Sequence, residues 1–359
     1  MPKQIKLLYF AIYYTKLLTA TKKERNIGLD LIKIIACVLV IALHTCSNYD
    51  LTKISDWPNF VVYNFAAIAI PTFFVVNGAL LIGKDLTTTE SLKYIWKKIL
   101  KTAFICIVFI YGYELIQQIS GNGFRMNAIS DVIIRQKGPF FHFWFFISLI
   151  IIYIAYPLLN YIYRKNKKLF ITFTLALIGL QLAMDLYTLH HVAFLNVQCQ
   201  NTLLMKIPQS LRIFTYFPYF MLGGILKEMK PVSKKWIFTG ITAMLIYILC
   251  IDRLIYHHDG TCEIFYNNIL VIAVVAMLFT NFYHTGIAKK NSRELVSTLA
   301  PSIMIVYILH PLLIKPYDNL FPNPIMQYGI VKLAVIAAVT FAAAYWISKV
   351  KILRKFFKL

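Results

Sequence analysis

The apolar residues of this chain fall into about ten runs of roughly 20 residues, the length a helix needs to cross about 30 Å of hydrocarbon at 1.5 Å per residue. The runs extend over Leu29–Asn48, Phe60–Gly83, Ile99–Ile119, His142–Tyr163, Leu169–Leu189, Leu211–Leu226, Trp236–Ile255, Phe265–Tyr283, Ala300–Ile314 and Ile330–Val350. The segments between them are short and leave no room for an appended soluble domain. The pattern predicts an all-α polytopic membrane protein, a single bundle of about ten transmembrane helices over residues 29–350, with an N-terminal segment 1–28 and a basic tail 351–359. Within the first segment, Leu7–Tyr14 is apolar but short, is followed by Lys16, and lacks the small-residue cleavage site of a signal peptide. It reads as an interfacial helix whose lysines (Lys3, Lys6, Lys16, Lys22 and Lys23) face anionic headgroups.

Composition agrees with a lipid solvent, with 59% of residues hydrophobic and 14% charged. The formal charge of +22 would suit nucleic acid if the basic residues formed one face. They alternate by loop instead. With the N-terminus inside, the inner segments hold a roughly threefold excess of Lys and Arg, including Lys93, Lys97, Lys98 and Lys101 before the third span and Arg164, Lys165, Lys167 and Lys168 after the fourth. This places both termini in the cytoplasm and excludes nucleic acid as a partner. Cys37, Cys106 and Cys250 lie in apolar runs and Cys46 near an outer end, whereas Cys199 and Cys262 fall in outer loops, either as a disulfide or as two unrelated thiols.

Ionisable groups inside a span are costly and demand a reason. Asp30 and Lys33 lie one turn apart, close enough to pair, and His44 follows Lys33 by eleven residues, about 16 Å and three turns along the same stripe. The stripe is either a polar shaft in the bundle, or an interfacial pair and a boundary histidine. Polar residues in other runs favour the shaft. Asn77 and Gly78 interrupt the second span, and His142, Trp144, Tyr153 and Pro157 punctuate the fourth. Such groups suit acyl transfer to a hydroxyl, which needs a base for the hydroxyl proton, and histidine is the usual one. A polyanionic thioester donor needs cations, which the lysines entering the third span could supply, although lysines there also act as topology signals.

These residues resemble the membrane acyltransferase-3 family, the bacterial O-acyltransferases of surface polysaccharides. The resemblance rests on Leu29-Asp30-Leu31-Ile32-Lys33 with His44, on Phe73-Phe74-Val75-Val76-Asn77-Gly78, on Lys97 and Lys101, on His142-Phe143-Trp144-Phe145-Phe146 with Tyr153 and Pro157, and on Tyr219–Gly223 and Ile308-Leu309-His310-Pro311. Lysines at 33, 97 and 101 stand where the family more often has arginine, and Asn77 stands for its serine, so positive charge persists without bidentate phosphate recognition. The resemblance implies an inner-membrane enzyme that takes an acetyl group from cytoplasmic acetyl-CoA, without a metal, and passes it to a glycan or lipid-linked sugar. His44, with Lys33 and Asp30, would be catalytic. Lys33, Lys97 and Lys101 would hold the donor, and His142, Trp144, Asn77 and Tyr153 the acceptor. A transporter or flippase for a glycolipid or small solute is the second reading, against which the absence of an inverted repeat counts.

Overall fold

The computed structural model describes residues 25–195, 197–198, 201–256, 265–285 and 290–357, and all regular structure among them is helical. We label the main helices α1 (Ile27–Thr45), α2 (Trp57–Phe65), α3 (Ala69–Leu81), α4 (Thr88–Ile119), α5 (Trp144–Lys165), α6 (Lys167–Leu195), α7 (Ile213–Leu226), α8 (Lys234–Tyr256), α9 (Ile269–Thr285), α10 (Ile303–Leu320) and α11 (Gly329–Lys349). The Leu7–Tyr14 segment and the Cys199–Cys262 pairing lie outside the described residues. Cys37, Cys46, Cys106 and Cys250 are free thiols.

Each of the ten apolar runs contains helix, but among the described residues eight helical stretches are both long and apolar enough to cross a membrane. The other two, α7 and α9, have 14 and 17 residues. At 1.5 Å per residue α7 covers only about 21 Å, less than a hydrocarbon core. It is short because Pro208, a single 3₁₀ turn at Gln209–Leu211 and Arg212 delay its start, while the polar Lys227 and Glu228 follow its end. The second run is likewise two helices. A 3₁₀ turn at Ala66–Ile68 separates α2 from α3, and Pro71, which has no N–H to give the carbonyl of Ala67, sits just beyond it. By contrast α4 is longer than its apolar part, because a Thr87/Glu90 capping box starts it well before Ile99 and carries Lys93, Lys97 and Lys98 on its first turns.

Helices α3 and α7 make the most extensive helix–helix contact among the described residues. A β-carbon on Gly78 would overlap the carbonyl oxygen of Phe220, and one on Gly223 would overlap that of Val75. The two backbones therefore touch, as small residues permit between helices in lipid. Around them lie α1, α5, α6 and α9, with α8 and α11 further out, and α6, α8 and α11 show most of their surface to the surroundings.

Polar contacts join the basic segments at one end of the bundle. Arg164 at the end of α5 pairs with Asp85, Lys167 at the start of α6 pairs with Glu228, and Lys227 donates to the carbonyl of Ile82. At this end the buried Asn160 of α5 accepts from the amide of Gly83 at 2.8 Å and donates to the carbonyl of Lys84 at 3.1 Å. At the other end Glu114, 2% exposed, receives the backbone and guanidinium of Arg125, which in turn approaches Asp131.

Candidate functional site

Three histidines from three helical segments meet at one end of α1. His44 lies in its last turn, His142 in the 3₁₀ turn Phe141–Phe143 that leads into α5, and His310 midway along α10. The His44 and His310 rings are stacked with centroids 5.4 Å apart, and His142 stands edge-on to His310 at 5.3 Å. Phe141 closes on His44 with its edge at 5.0 Å, and Tyr307 lies 5.2 Å from His142. His142 and His310 are buried, while His44 retains partial exposure.

The local chain explains the arrangement. Tyr307 donates its hydroxyl to the carbonyl of His142 at 2.8 Å, which binds the turn before α5 to α10. The Nδ1 of His310 lies 3.2 Å from the carbonyl of Val306, one turn back. A carbonyl only accepts, so this nitrogen carries the proton and neutral His310 presents Nε2 as a bare lone pair. That Nε2, and both ring nitrogens of His142, are buried without a partner among the described residues. Unpaired polar atoms at such depth are costly. The three belong to two rings whose centroids lie 5.3 Å apart, and together they leave hydrogen-bonding capacity that a polar group could meet. No group of three or more His, Cys, Asp or Glu residues among those described is disposed to hold a metal ion.

The other expected residues divide between the two ends of the bundle. Asp30, 5% exposed, binds the Nζ of Lys33 at 3.0 Å and the guanidinium of Arg25, so its charge is met locally, eleven or more residues from His44. Asn77 accepts from the Tyr153 hydroxyl at 2.9 Å and donates to the carbonyl of Phe73, also at 2.9 Å. Tyr153 follows His142 by eleven residues, a rise of about 16 Å, so the Asn77–Tyr153 pair lies level with Lys33 and away from the histidines. Between the two levels are Phe73, Phe145 and Tyr307, with Phe73 6.3 Å and Phe145 5.5 Å from Tyr307. Trp144 is buried and stacks on Tyr216 at 5.3 Å. Lys97 stands on the exposed face of α4, and Lys101 is partly covered.

Sequence reasoning did not assign a role to His310 or Tyr307. The signal available was a histidine directly before a proline inside an apolar run. Pro311 cannot donate to the carbonyl of Tyr307, which loosens the helix at the point where His310 must turn inward.

A family model described as an acyltransferase domain matches residues 26–349, nearly the whole chain and every helix that supplies the site. The chain belongs to the acyltransferase-3 family. Among curated proteins it is similar to an amino-acid racemase of Enterococcus faecalis, 25% identical over 355 residues that cover 92% of this chain and 47% of that protein. A second protein of the same name and organism is 30% identical over 218 residues, covering 58% of this chain and 29% of its own length. The chain thus spans about half the length or less of these curated relatives. No solved structure matches it.

Proposed function

We propose that this chain is an integral membrane O-acyltransferase, which moves an acetyl group from acetyl-CoA on the cytoplasmic side to a hydroxyl of a cell-surface or lipid-linked glycan. The observation that carries the reading is the histidine trio, with three unpartnered buried ring nitrogens, at one end of a helix whose other end holds Lys33. In this reading the Lys33 end is cytoplasmic, as the gathering of basic segments there supports. Phosphates of the donor bind at that end, and its pantetheine arm covers the rise of about 16 Å past Asn77 and Tyr153 to the histidines.

In the step itself, the acceptor hydroxyl oxygen attacks the thioester carbonyl while His44, the partly exposed member of the trio, takes the hydroxyl proton. Collapse of the tetrahedral intermediate breaks the carbon–sulfur bond, and the proton on His44 passes to the departing thiolate. An ester and a free thiol result, with no net proton gained or lost. His310, its tautomer fixed by Val306, stacks on the His44 ring and holds its orientation, and His142 orients the acceptor. Lys33 and Asp30 serve from the far end, Lys33 holding donor charge and Asp30 holding Lys33.

The test is made with purified protein, labelled acetyl-CoA and glycan extracted from producing cells. The reading requires free coenzyme A and an acetyl-sized mass gain on the glycan that mild alkali removes. A glycan that crosses the membrane unmodified would identify a flippase instead.

A further inference from the structure

A cavity of about 270 Å³, close to the lower end of ligand pockets, opens at the surface beyond the His44 end of α1. Asn48, Asp50, Asp56 and Asn59 line it from the segment between α1 and α2 and the first turn of α2, and Gln327 and Tyr328 from the connection between α10 and α11. The two walls are tied together. Tyr328 donates its hydroxyl to the carbonyl of Ser55 at 2.6 Å, Asn59 accepts the amide of Ile330 at 3.2 Å, and a β-carbon on Gly329 would fall 2.8 Å from the carbonyl oxygen of Thr45. The first wall is closed on itself by Asp50, whose amide donates to Asp56 at 2.9 Å and whose carboxylate takes the amide and hydroxyl of Thr52.

The hydrogen-bonding groups left over in this cavity are of both kinds. Asn59 is 3% exposed, and with its Oδ1 engaged by Ile330 its Nδ2 donates to nothing among the described residues. The Ile330 contact also fixes which end of the amide faces the cavity. Oδ1 of Asp56 is reached by the neighbouring Ser55 hydroxyl at 3.4 Å, and the ion pair at the cavity among the described residues, Lys53 with Asp50 at 3.5 Å, does not involve it. Gln327 gives its amide to the carbonyl of Phe321 at 2.6 Å, which leaves its Oε1 open. A buried N–H without an acceptor is costly. A metal cation would not relieve it, because a cation takes lone pairs and Asn59 presents a hydrogen. A hydroxyl relieves both kinds at once, accepting from Asn59 and donating to Asp56 or Gln327. Tyr328 adds an aromatic wall for the apolar face of a ring, and the carboxylate of Asp56 repels an anionic one.

We propose that this cavity binds an uncharged sugar residue of the acceptor glycan, at a distance from the residue that is acetylated. The site rests on the proposed function in placing the acetylated hydroxyl at His44. None of the three histidines lines the cavity, so the ring held there is not the ring at His44. The four residues from His44 to Asn48 span at most about 14 Å of chain, within reach of a short oligosaccharide. The acceptor is therefore a chain of sugars that occupies both places, and a free monosaccharide forgoes one of them.

The experiment uses the full chain in nanodiscs without an acyl donor and measures equilibrium binding of fragments of the producing cells' glycan, released from lipid and sorted by length and charge. Neutral chains of three or more residues are expected to bind at least about tenfold more tightly than single residues. Asp56→Asn, which keeps an oxygen for the Asp50 amide, and Tyr328→Leu should each remove most of that advantage. Asn59→Asp keeps the oxygen that Ile330 needs while removing the inward donor, and should lose as much. Unchanged thermal unfolding of Asp56→Asn and Asn59→Asp shows that they fold. Equal binding of long and short fragments, or a length advantage kept in all three variants, would overturn the cavity as a glycan site whether or not the chain transfers acetyl groups. A length advantage that needs added calcium and vanishes with a chelator would overturn it in favour of a cation site. Tighter binding of fragments rich in uronic acid than of neutral ones would overturn the assignment of an uncharged sugar. Length-dependent binding lost in the variants, with no acetyl transfer when acetyl-CoA is supplied, would keep the cavity and overturn the proposed function.

Discussion

His310 stacks on His44 with an interplanar angle of 24°, although 266 residues separate them, and its Nδ1 is engaged by Val306. The proton transfer proposed for His44 would therefore occur beside a second imidazole whose tautomer is fixed. His44→Ala should remove a general base and lower turnover about 100- to 10,000-fold, with insertion and yield unchanged because the span becomes cheaper to insert. His310→Gln should lower kcat with little change in the KM for either substrate. Near-normal turnover of purified His44→Ala would refute the proposed mechanism.

His142 has both ring nitrogens buried without partners among the described residues, and its backbone is held by Tyr307. The His142→Ala variant should raise the KM for the glycan while leaving acetyl-CoA affinity in place. Steady-state kinetics with each substrate varied in turn separates the two effects. A loss confined to donor affinity would move His142 to the other substrate.

The contact of α3 with α7 leaves no space for a β-carbon at Gly78 or Gly223. Gly223→Val should destabilise the protein by about 1–3 kcal/mol or more, as overpacking does when the obstacle is backbone. Gly112, where a β-carbon would meet nothing, should tolerate alanine. The check is the unfolding midpoint in detergent for the two variants side by side.

The proposed orientation predicts that a cysteine replacing the exposed Lys165, at the end of α5, is shielded from a membrane-impermeant thiol reagent in intact cells and labelled after permeabilisation. One replacing the exposed Arg135 should label in both conditions. The opposite pattern would invert the bundle.

Much of the fold was legible in the sequence because a lipid solvent imposes a coarse rule. Long apolar runs become helices, and all ten runs did. The pairing of Asp30 with Lys33 was also legible, since it depends only on helical spacing. Helix ends were less so, because Pro71 and the Pro208–Arg212 segment break local structure without interrupting the run of apolar residues enough to be seen. Lys97 and Lys101 share a face by their spacing, but spacing cannot tell which way the face looks, and Lys97 looks outward while Lys98 looks in. His310 depended on tertiary folding altogether, since nothing within a turn of it in the sequence announces His44 or His142.

The seam where Gly78 and Gly223 bring two backbones into contact also limits how the protein can move. Helices joined in that way cannot slide without lifting apart, so α3 and α7 act as a strut about which other parts must swing. Any opening for substrates would then fall to the periphery, to α8 and α11, whose surfaces are mostly turned outward. Gating would be a matter of outer helices tilting against a fixed central pillar.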